Sequence, residues 1–267
     1  MPHKHKGERS RTSEIFGVNP VLEVLRAKRR AIREITIANG TKDARLSQLL
    51  ELARAEHVPV HYAPRQQLDR ATGNAIHQGV VARVAAAEYA DADELLDSIG
   101  GLVTNGTVPL VLVLDGVEDP QNLGAILRTA ECAAVDGVFV PERRAAGLTE
   151  AVGKASAGAI EYVPVARATN LSRLIDQLKE RNVWVVGTAA DASIDYAEWD
   201  WTRASAIVMG GEGSGLHRLV REHCDALVRI PVLGQIESLN VSVATGIVVY
   251  EALRQRTAAQ MKNIQRS

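Results

Sequence analysis

Aromatic side chains make up only 4 % of this chain, and it holds just two cysteines. A core with few rings must be aliphatic, and 46 % apolar residues over 267 positions suffice to build one, with length for two domains. Cys132 and Cys224 sit in helical patterns with no CxxC pair, which argues against a disulfide scaffold and reads as two reduced, buried thiols of a cytoplasmic protein. No apolar run reaches the roughly 18 residues of a membrane helix. The opening MPHKHKGERSR is basic and polar with no apolar segment behind it, unlike a secretory signal. An excess of charge is also missing: the formal net charge is −1 and the pI about 6.7. Any contact with nucleic acid must then use a local patch. Lys4, Lys6, Arg9, Arg11, Arg26, Lys28, Arg29 and Arg30 make the first thirty residues the most basic part.

Read in order, residues 1–11 have charge but no apolar periodicity and are expected to be a disordered basic tail. Asn19-Pro20 predicts a helix start, with Asn19 as cap. Strands are expected at Glu34 to Ala38, Val58 to Tyr62 and Gly79 to Val84. Helices are expected at Ala44 to His57 and Gln66 to Ala71. Pro59 puts the second strand near a sheet edge. Residues 12–85 thus form a small α/β domain. Residues 86–107 are acidic at first and are then broken by Gly100-Gly101 and Asn105-Gly106. They are expected to be a linker with at most a short helix at Leu95-Leu96.

Residues 108–267 alternate strands and helices: VLVLDGV, a helix at Asn122 to Val135, GVFVP, a helix near Thr149 to Ala157, YVPVA, a helix at Leu171 to Arg181, and VWVVGT. Such alternation predicts a parallel sheet covered by helices. An apolar strand at Ile207 to Met209, a glycine loop at 210–215, a short charged helix and another strand ending at Ile230-Pro231 follow. The last predicted helix, from Val241 to Leu253, is apolar on nearly all sides and is expected to be buried, in part by a second copy of the chain.

The glycine loop follows a strand and precedes a helix, a context suited to cradling an anion or nucleotide with backbone groups. It has no GK[ST] and no GxGxxG frame, so it is neither a P-loop nor a dinucleotide fingerprint, which disfavours a nicotinamide oxidoreductase. Ser214 lacks the glycine at 212 that a nucleophile elbow needs. DGVEDPQNLGAILR opens the second domain at the carboxyl edge of the sheet, where open α/β sheets bind ligands. Asn122 reads there as a helix cap or a functional amide, and Arg128 as a surface cation or a phosphate contact. No metal site is expected: His57 and His61 are separated by Pro59, and His217 and His223 read as surface residues of a basic helix.

Three ordered motifs then carry a resemblance. DPQNLGAILRTA, IVMGGEGSGL and IPVLGQIESLNVSVATGIVVYE resemble those of the SpoU (TrmH) family of RNA 2′-O-ribose methyltransferases, in the SPOUT class. FGVNPVLEVL and HQGVVARV resemble the substrate-binding domain of the branch that modifies a guanosine of large-subunit 23S ribosomal RNA. The resemblance implies a C-terminal α/β trefoil knot, an N-terminal RNA-binding domain, a homodimer and S-adenosylmethionine as methyl donor. It matches Asn122, Arg128, Glu212, Ser238 and Asn240 to catalytic positions. It matches Thr188, Gly210, Gly211, Gly213, Ile230, Leu239 and Asn240 to the cofactor site. The family reading makes Arg128 a general base. Guanidinium groups stay protonated near neutral pH, so an electrostatic role at a phosphate or incipient alkoxide is the chemical alternative. A transfer-RNA substrate, or a non-catalytic RNA-binding protein of the same fold, are the competing expectations.

Overall fold

The computed structural model describes residues 12–73, 75–213 and 215–264, with residues 263 and 264 as backbone only; the expected tail at 1–11 and Ser214 lie outside them. The chain forms two units that meet between Glu88 and Tyr89. In the first, strands β1 (Thr12–Phe16), β2 (Ile32–Ala38), β3 (Val60–Ala63) and β4 (Val80–Ala85) form a sheet in the order β1-β4-β2-β3. Only the β2–β3 pair is parallel. β3, expected near an edge because of Pro59, is one of the two edge strands. β1 was not anticipated, since TSEIF has no run of alternation long enough to mark it.

Helix α1 (Val18–Ala27) turns Val18, Val21, Leu22, Val24 and Leu25 inward, spacings that share one helical face. They pack on Ile35, Ile37, Val80, Ala82 and Val84 of the sheet and on Leu49 and Ala53 of α2 (Leu46–Ala55). The cap of α1 is Gly17 and not Asn19. Pro20 falls at the third helical position, where its missing N–H is still one of the unbonded first-turn donors. A short α3 (Arg65–Ala71) covers Ala38, Ala63 and Val81 with Leu68.

The second unit begins with a correction. Residues 86–107, expected as a linker, carry the 13-residue helix α4 (Ala92–Thr104). Asp91 caps it, accepting from the backbone N–H groups of Asp93 and Glu94, and Leu95, Leu96 and Ile99 are buried in the core. Tertiary burial of three large side chains outweighs the cost of Gly100-Gly101, roughly 1 kcal/mol each. Next come β5 (Leu110–Asp115), α5 (Pro120–Cys132), β6 (Gly137–Pro141), α6 (Glu150–Ala155), β7 (Val165–Ala168), α7 (Leu171–Glu180) and β8 (Trp184–Thr188). The chain ends with β9 (Ile194–Asp195), β10 (Ser205–Gly210), α8 (Arg218–His223), β11 (Ala226–Arg229) and α9 (Val241–Ile264).

The expected parallel sheet is present, with seven strands in the order β7-β6-β5-β10-β8-β11-β9 and every pair parallel. β5 is buried along its whole length. Leu110, Leu112 and Leu114 face a core shared with α5 and α9, and Val111 and Val113 face one shared with α4 and α7. This is the period of two of a strand covered on both sides. The chain leaves β5 towards β6 on one side and returns through β10 on the other. Their neighbouring carboxyl ends are therefore the switch point where α/β sheets bind ligands.

Two further expectations are corrected. Cys132 is exposed, and Cys224 is only partly buried, although burial pushes its thiol up to about 12. Helix α9 is longer than expected and not apolar-covered on all sides: Val248, Val249 and Ala252 are buried, whereas Val243 and Tyr250 are about half exposed. The apolar pattern on nearly all sides predicts burial in part by a second copy, and Val243 and Tyr250 belong to the face that one chain leaves uncovered.

Candidate active site

The two strands at the switch point are in register, Gly210 beside Asp115. The glycine loop leaves β10 here and folds back sharply. The Gly211 N–H donates to Asp115 O at 2.7 Å, and Gly215 N–H donates to Gly211 O at 3.2 Å. A Cβ on Gly210 would lie 2.2 Å from Gly215 C, and one on Gly211 would lie 2.3 Å from Gly116 O. Both contacts are impossible for any other residue without moving backbone. Glycine at these two positions lets the loop turn tightly and close on the β5 end.

The loop forms one wall of a cavity of about 720 Å³. Thr188 at the end of β8, Ile230 after β11 and the segment Ser238-Leu239-Asn240 before α9 supply the others. Thr188 Oγ1 donates to Val208 O at 3.2 Å, which fixes its side chain between the two strand ends. Thus Thr188, Gly210, Gly211, Gly213, Glu212, Ile230, Ser238, Leu239 and Asn240, named from sequence, all line one cavity. Its lining alternates backbone polar groups from small residues with the apolar faces of Val228, Ile230 and Leu239, a combination suited to a flat heteroaromatic ring with a polar tail.

Asn122 is not the helix cap. Asp119 holds that place, accepting from the N–H of Gln121. Asn122 sits in the first turn of α5, 6 % exposed, and its Nδ2 donates to Glu212 Oε1 at 2.6 Å. Asn240 Nδ2 reaches both Asn122 Oδ1 at 2.9 Å and Glu212 Oε1 at 3.1 Å. Asn240 Oδ1 in turn accepts from the Ser242 N–H at 2.9 Å and the Ser242 hydroxyl at 2.6 Å, so it starts α9 as well. One carboxylate and two amides, separated by up to 118 residues in sequence, are locked into a single network. The wall they form also borders a second cavity of about 490 Å³, which shares Glu212 and Val241 with the first.

Arg128 is not brought to this network. It lies on the exposed face of α5, outside the lining of both cavities, and makes no hydrogen bond or ion pair among the described residues. His217 is exposed, as expected from the sequence, and it is also tied to Asp115. Its backbone N–H donates to Asp115 Oδ2 at 2.7 Å, its ring Nδ1 lies 2.8 Å from Asp115 Oδ1, and it lines the second cavity. Nothing in the spacing of two residues 102 positions apart could have shown this. Among the described residues no cluster of His, Cys, Asp or Glu could hold a metal ion, and no helix is long and apolar enough to cross a membrane.

A parallel sheet with a glycine loop and an Asn–Glu–Asn network at its switch point defines an α/β ligand-binding enzyme fold, and the comparisons place it. The model of the SpoU rRNA Methylase family matches residues 109–250, and that of the RNA 2′-O ribose methyltransferase substrate binding domain matches residues 15–90. The chain belongs to the SpoU rRNA methylase family. It is 46 % identical to the 23S rRNA (guanosine-2′-O-)-methyltransferase RlmB of Pseudomonas syringae pv. tomato, over 93 % of this chain and 98 % of that protein. It is 43 % identical to RlmB of Escherichia coli K12, over 91 % of this chain and 98 % of the relative. A solved structure, the AdoMet-bound rRNA methyltransferase from Sinorhizobium meliloti, superposes with a TM-score of 0.74 and 27 % identity. That match covers 91 % of this chain and 87 % of the other.

Proposed function

We propose that this chain transfers a methyl group from S-adenosylmethionine to the ribose 2′-hydroxyl of a guanosine in 23S ribosomal RNA, in the cytoplasm. The observation that carries the reading is the Asn122–Glu212–Asn240 network, which joins all three sequence motifs at the wall between two cavities. A donor and an acceptor held in the two cavities, which adjoin at Glu212 and Val241, lie close together, and such positioning is the main requirement of an in-line displacement. The larger cavity fits the methyl donor: Ile230 and Leu239 offer apolar faces for an adenine, and the tight loop at Gly210–Gly213 offers backbone groups. When bound there, the cofactor supplies the methyl group as an electrophilic sulfonium substituent. The chain's own residues hold the donor, orient the ribose and exclude water.

The reading includes a threaded C-terminal knot and a homodimer. Support for the dimer comes from α9, whose Val243, Tyr250 and Met261 leave apolar area exposed, and from Arg128, which faces away from both cavities of its own chain. In a dimer built across this face, Arg128 serves the site of the second copy. The first unit, free of the cofactor motifs, binds the RNA. Removing residues 1–88 is expected to leave cofactor affinity within about twofold, and to weaken RNA binding and lower its salt dependence as phosphate contacts are lost.

The decisive experiment incubates the protein with labelled S-adenosylmethionine and 23S rRNA from a strain lacking its gene, with transfer RNA in parallel, and maps the product. Label at a single guanosine ribose of 23S rRNA is the expected result. Label in transfer RNA alone would move the substrate assignment, and no label with intact cofactor binding would leave a non-catalytic RNA-binding protein.

A further inference from the structure

The second cavity holds two polar side chains to which the methyl-transfer chemistry assigns no role. His217 is clamped by Asp115, itself 4 % exposed: one carboxylate oxygen takes the His217 backbone N–H and the other the ring Nδ1. A carboxylate only accepts, so Nδ1 carries the proton in that bond, and Nε2 is the ring nitrogen left for a ligand. Nε2 makes no hydrogen bond among the described residues, and the ring lines the cavity. Arg144 lines the cavity too. It has φ 57°, a left-handed conformation unusual for a residue with a Cβ, in a loop tied down by the Ala146 N–H donating to Val117 O at 2.9 Å. Its guanidinium makes no ion pair or hydrogen bond among the described residues. Glu118, Asp119 and Glu212 are the other charged groups of the lining, and Asn122 and Glu212 connect it to the network above.

A fixed acceptor and a free guanidinium fork in one cavity match a base with acceptors on one edge and donors on another. Guanine has O6 and N7, the pair that an arginine fork engages two at a time, and it has N1–H and the N2 amino group on its pairing edge. Adenine offers an amino group where guanine has O6, so the fork loses a partner. We propose that the second cavity receives the guanine of the target nucleotide, with Arg144 donating to O6 and N7 and His217, held by Asp115, accepting from the N2 amino group of the pairing edge through Nε2. A base outside a helix exposes both edges at once, as loop nucleotides in RNA do. The inference rests on the methyltransferase reading and adds to it the residues that select the base.

The test uses the full-length protein and a synthetic 23S rRNA hairpin carrying the mapped target as guanosine, inosine (no N2 amino group) or 7-deazaguanosine (no N7). Equilibrium binding is followed by fluorescence anisotropy and methyl transfer in single turnovers. Each lost contact is expected to weaken wild-type binding by roughly tenfold, within the usual range for a base contact. In Arg144→Ala the penalty for 7-deazaguanosine vanishes and that for inosine stays. In His217→Ala the reverse holds, and His217→Gln restores part of the inosine penalty. Cofactor affinity within twofold of wild type in each variant shows that the fold is kept. Wild type that binds all three hairpins alike, or variants that keep both penalties, overturn the proposal. Binding judges the cavity whether or not methyl transfer occurs. Discrimination without any transfer would instead sink the proposed activity alone.

Discussion

The two ends of the seven-stranded sheet spend their polar residues differently. At the amino end, charged side chains satisfy backbone. Asp136 accepts from the Leu110 N–H at 2.8 Å, and Asp225 from the Val185 N–H at 2.8 Å. Arg256 of α9 donates to four carbonyls, those of Trp201, Val108, Pro109 and Arg203. At the carboxyl end the polar side chains bond one another as well as nearby backbone, and they border cavities. The difference separates residues that hold the sheet together from residues that hold a ligand, although both sets are charged and partly buried. Substitutions at the first end should cost stability, and at the second activity.

The largest expected effect is at the carboxyl end. Glu212→Ala removes the acceptor shared by Asn122 and Asn240 and should lower single-turnover methyl transfer by about a thousandfold, with a melting temperature close to wild type. Arg128→Ala should do the same while cofactor still binds in calorimetry. Arg128→Lys separates two roles for the guanidinium. A lysine that keeps measurable activity indicates a point charge stabilising the alkoxide, and a rate that climbs with pH until the amine deprotonates indicates a base. Wild-type activity in Arg128→Ala would remove this residue from the mechanism. Next in size is Gly210→Val. Its Cβ has no room against Gly215, so the loop must open, and cofactor affinity should fall by about a hundredfold or more, read by calorimetry.

The amino end should answer in the other currency. Arg256→Ala strands several carbonyls, a loss of about 3 kcal/mol on the scale of hydrogen bonds to charged groups. For a chain of this size that is a fall of roughly 6–12 °C in melting temperature. Turnover per folded molecule should stay within about twofold. A loss of turnover as large as that in Glu212→Ala would break the division between the two ends.

Much of this division was legible beforehand, for physical reasons. The buried strands announced themselves as continuous apolar runs, and the glycine loop as backbone that must come close to something. Glu212, Ser238 and Asn240 were legible only through the motif resemblance, since no periodicity links residues that far apart. What failed was local reading at places where tertiary contacts decide. Gly100-Gly101 looked like a break, yet Leu95, Leu96 and Ile99 keep α4 helical by packing. Asn122 looked like a cap because Asn and Asp cap equally well; Asp119 caps, which frees the amide for Glu212. Arg128 was assigned to the site by motif, but it lies on the exposed face of α5, outside the lining of both cavities. Asp115 and His217 were visible as residues and invisible as a pair.

The smallest effect tests the amino end by pH. Burial is the largest influence on Asp136 and pushes its carboxyl above the ordinary range, against the lowering effects of the Leu110 N–H and the nearby Arg256. A raised folded-state pKa means that the native chain holds this proton more tightly than the unfolded one. The stabilisation is complete below the unfolded pKa and is lost as pH rises through the folded value. Above that window the ionised carboxylate remains at a net cost, because desolvation outweighs its partners. Asp136→Asn keeps an acceptor for the Leu110 N–H and has no charge to desolvate. Its stability in urea unfolding, relative to wild type, should therefore rise as the pH climbs from the ordinary aspartate range through the raised folded-state value, and level off beyond. At Asp115 the same substitution meets a different test: both carboxylate oxygens face His217, and Asn can accept from only one of its two donors. Asp115→Asn should accordingly weaken RNA binding. If the two aspartates answered alike, with a stability shift and intact binding in both, the two ends of the sheet would not be chemically distinct.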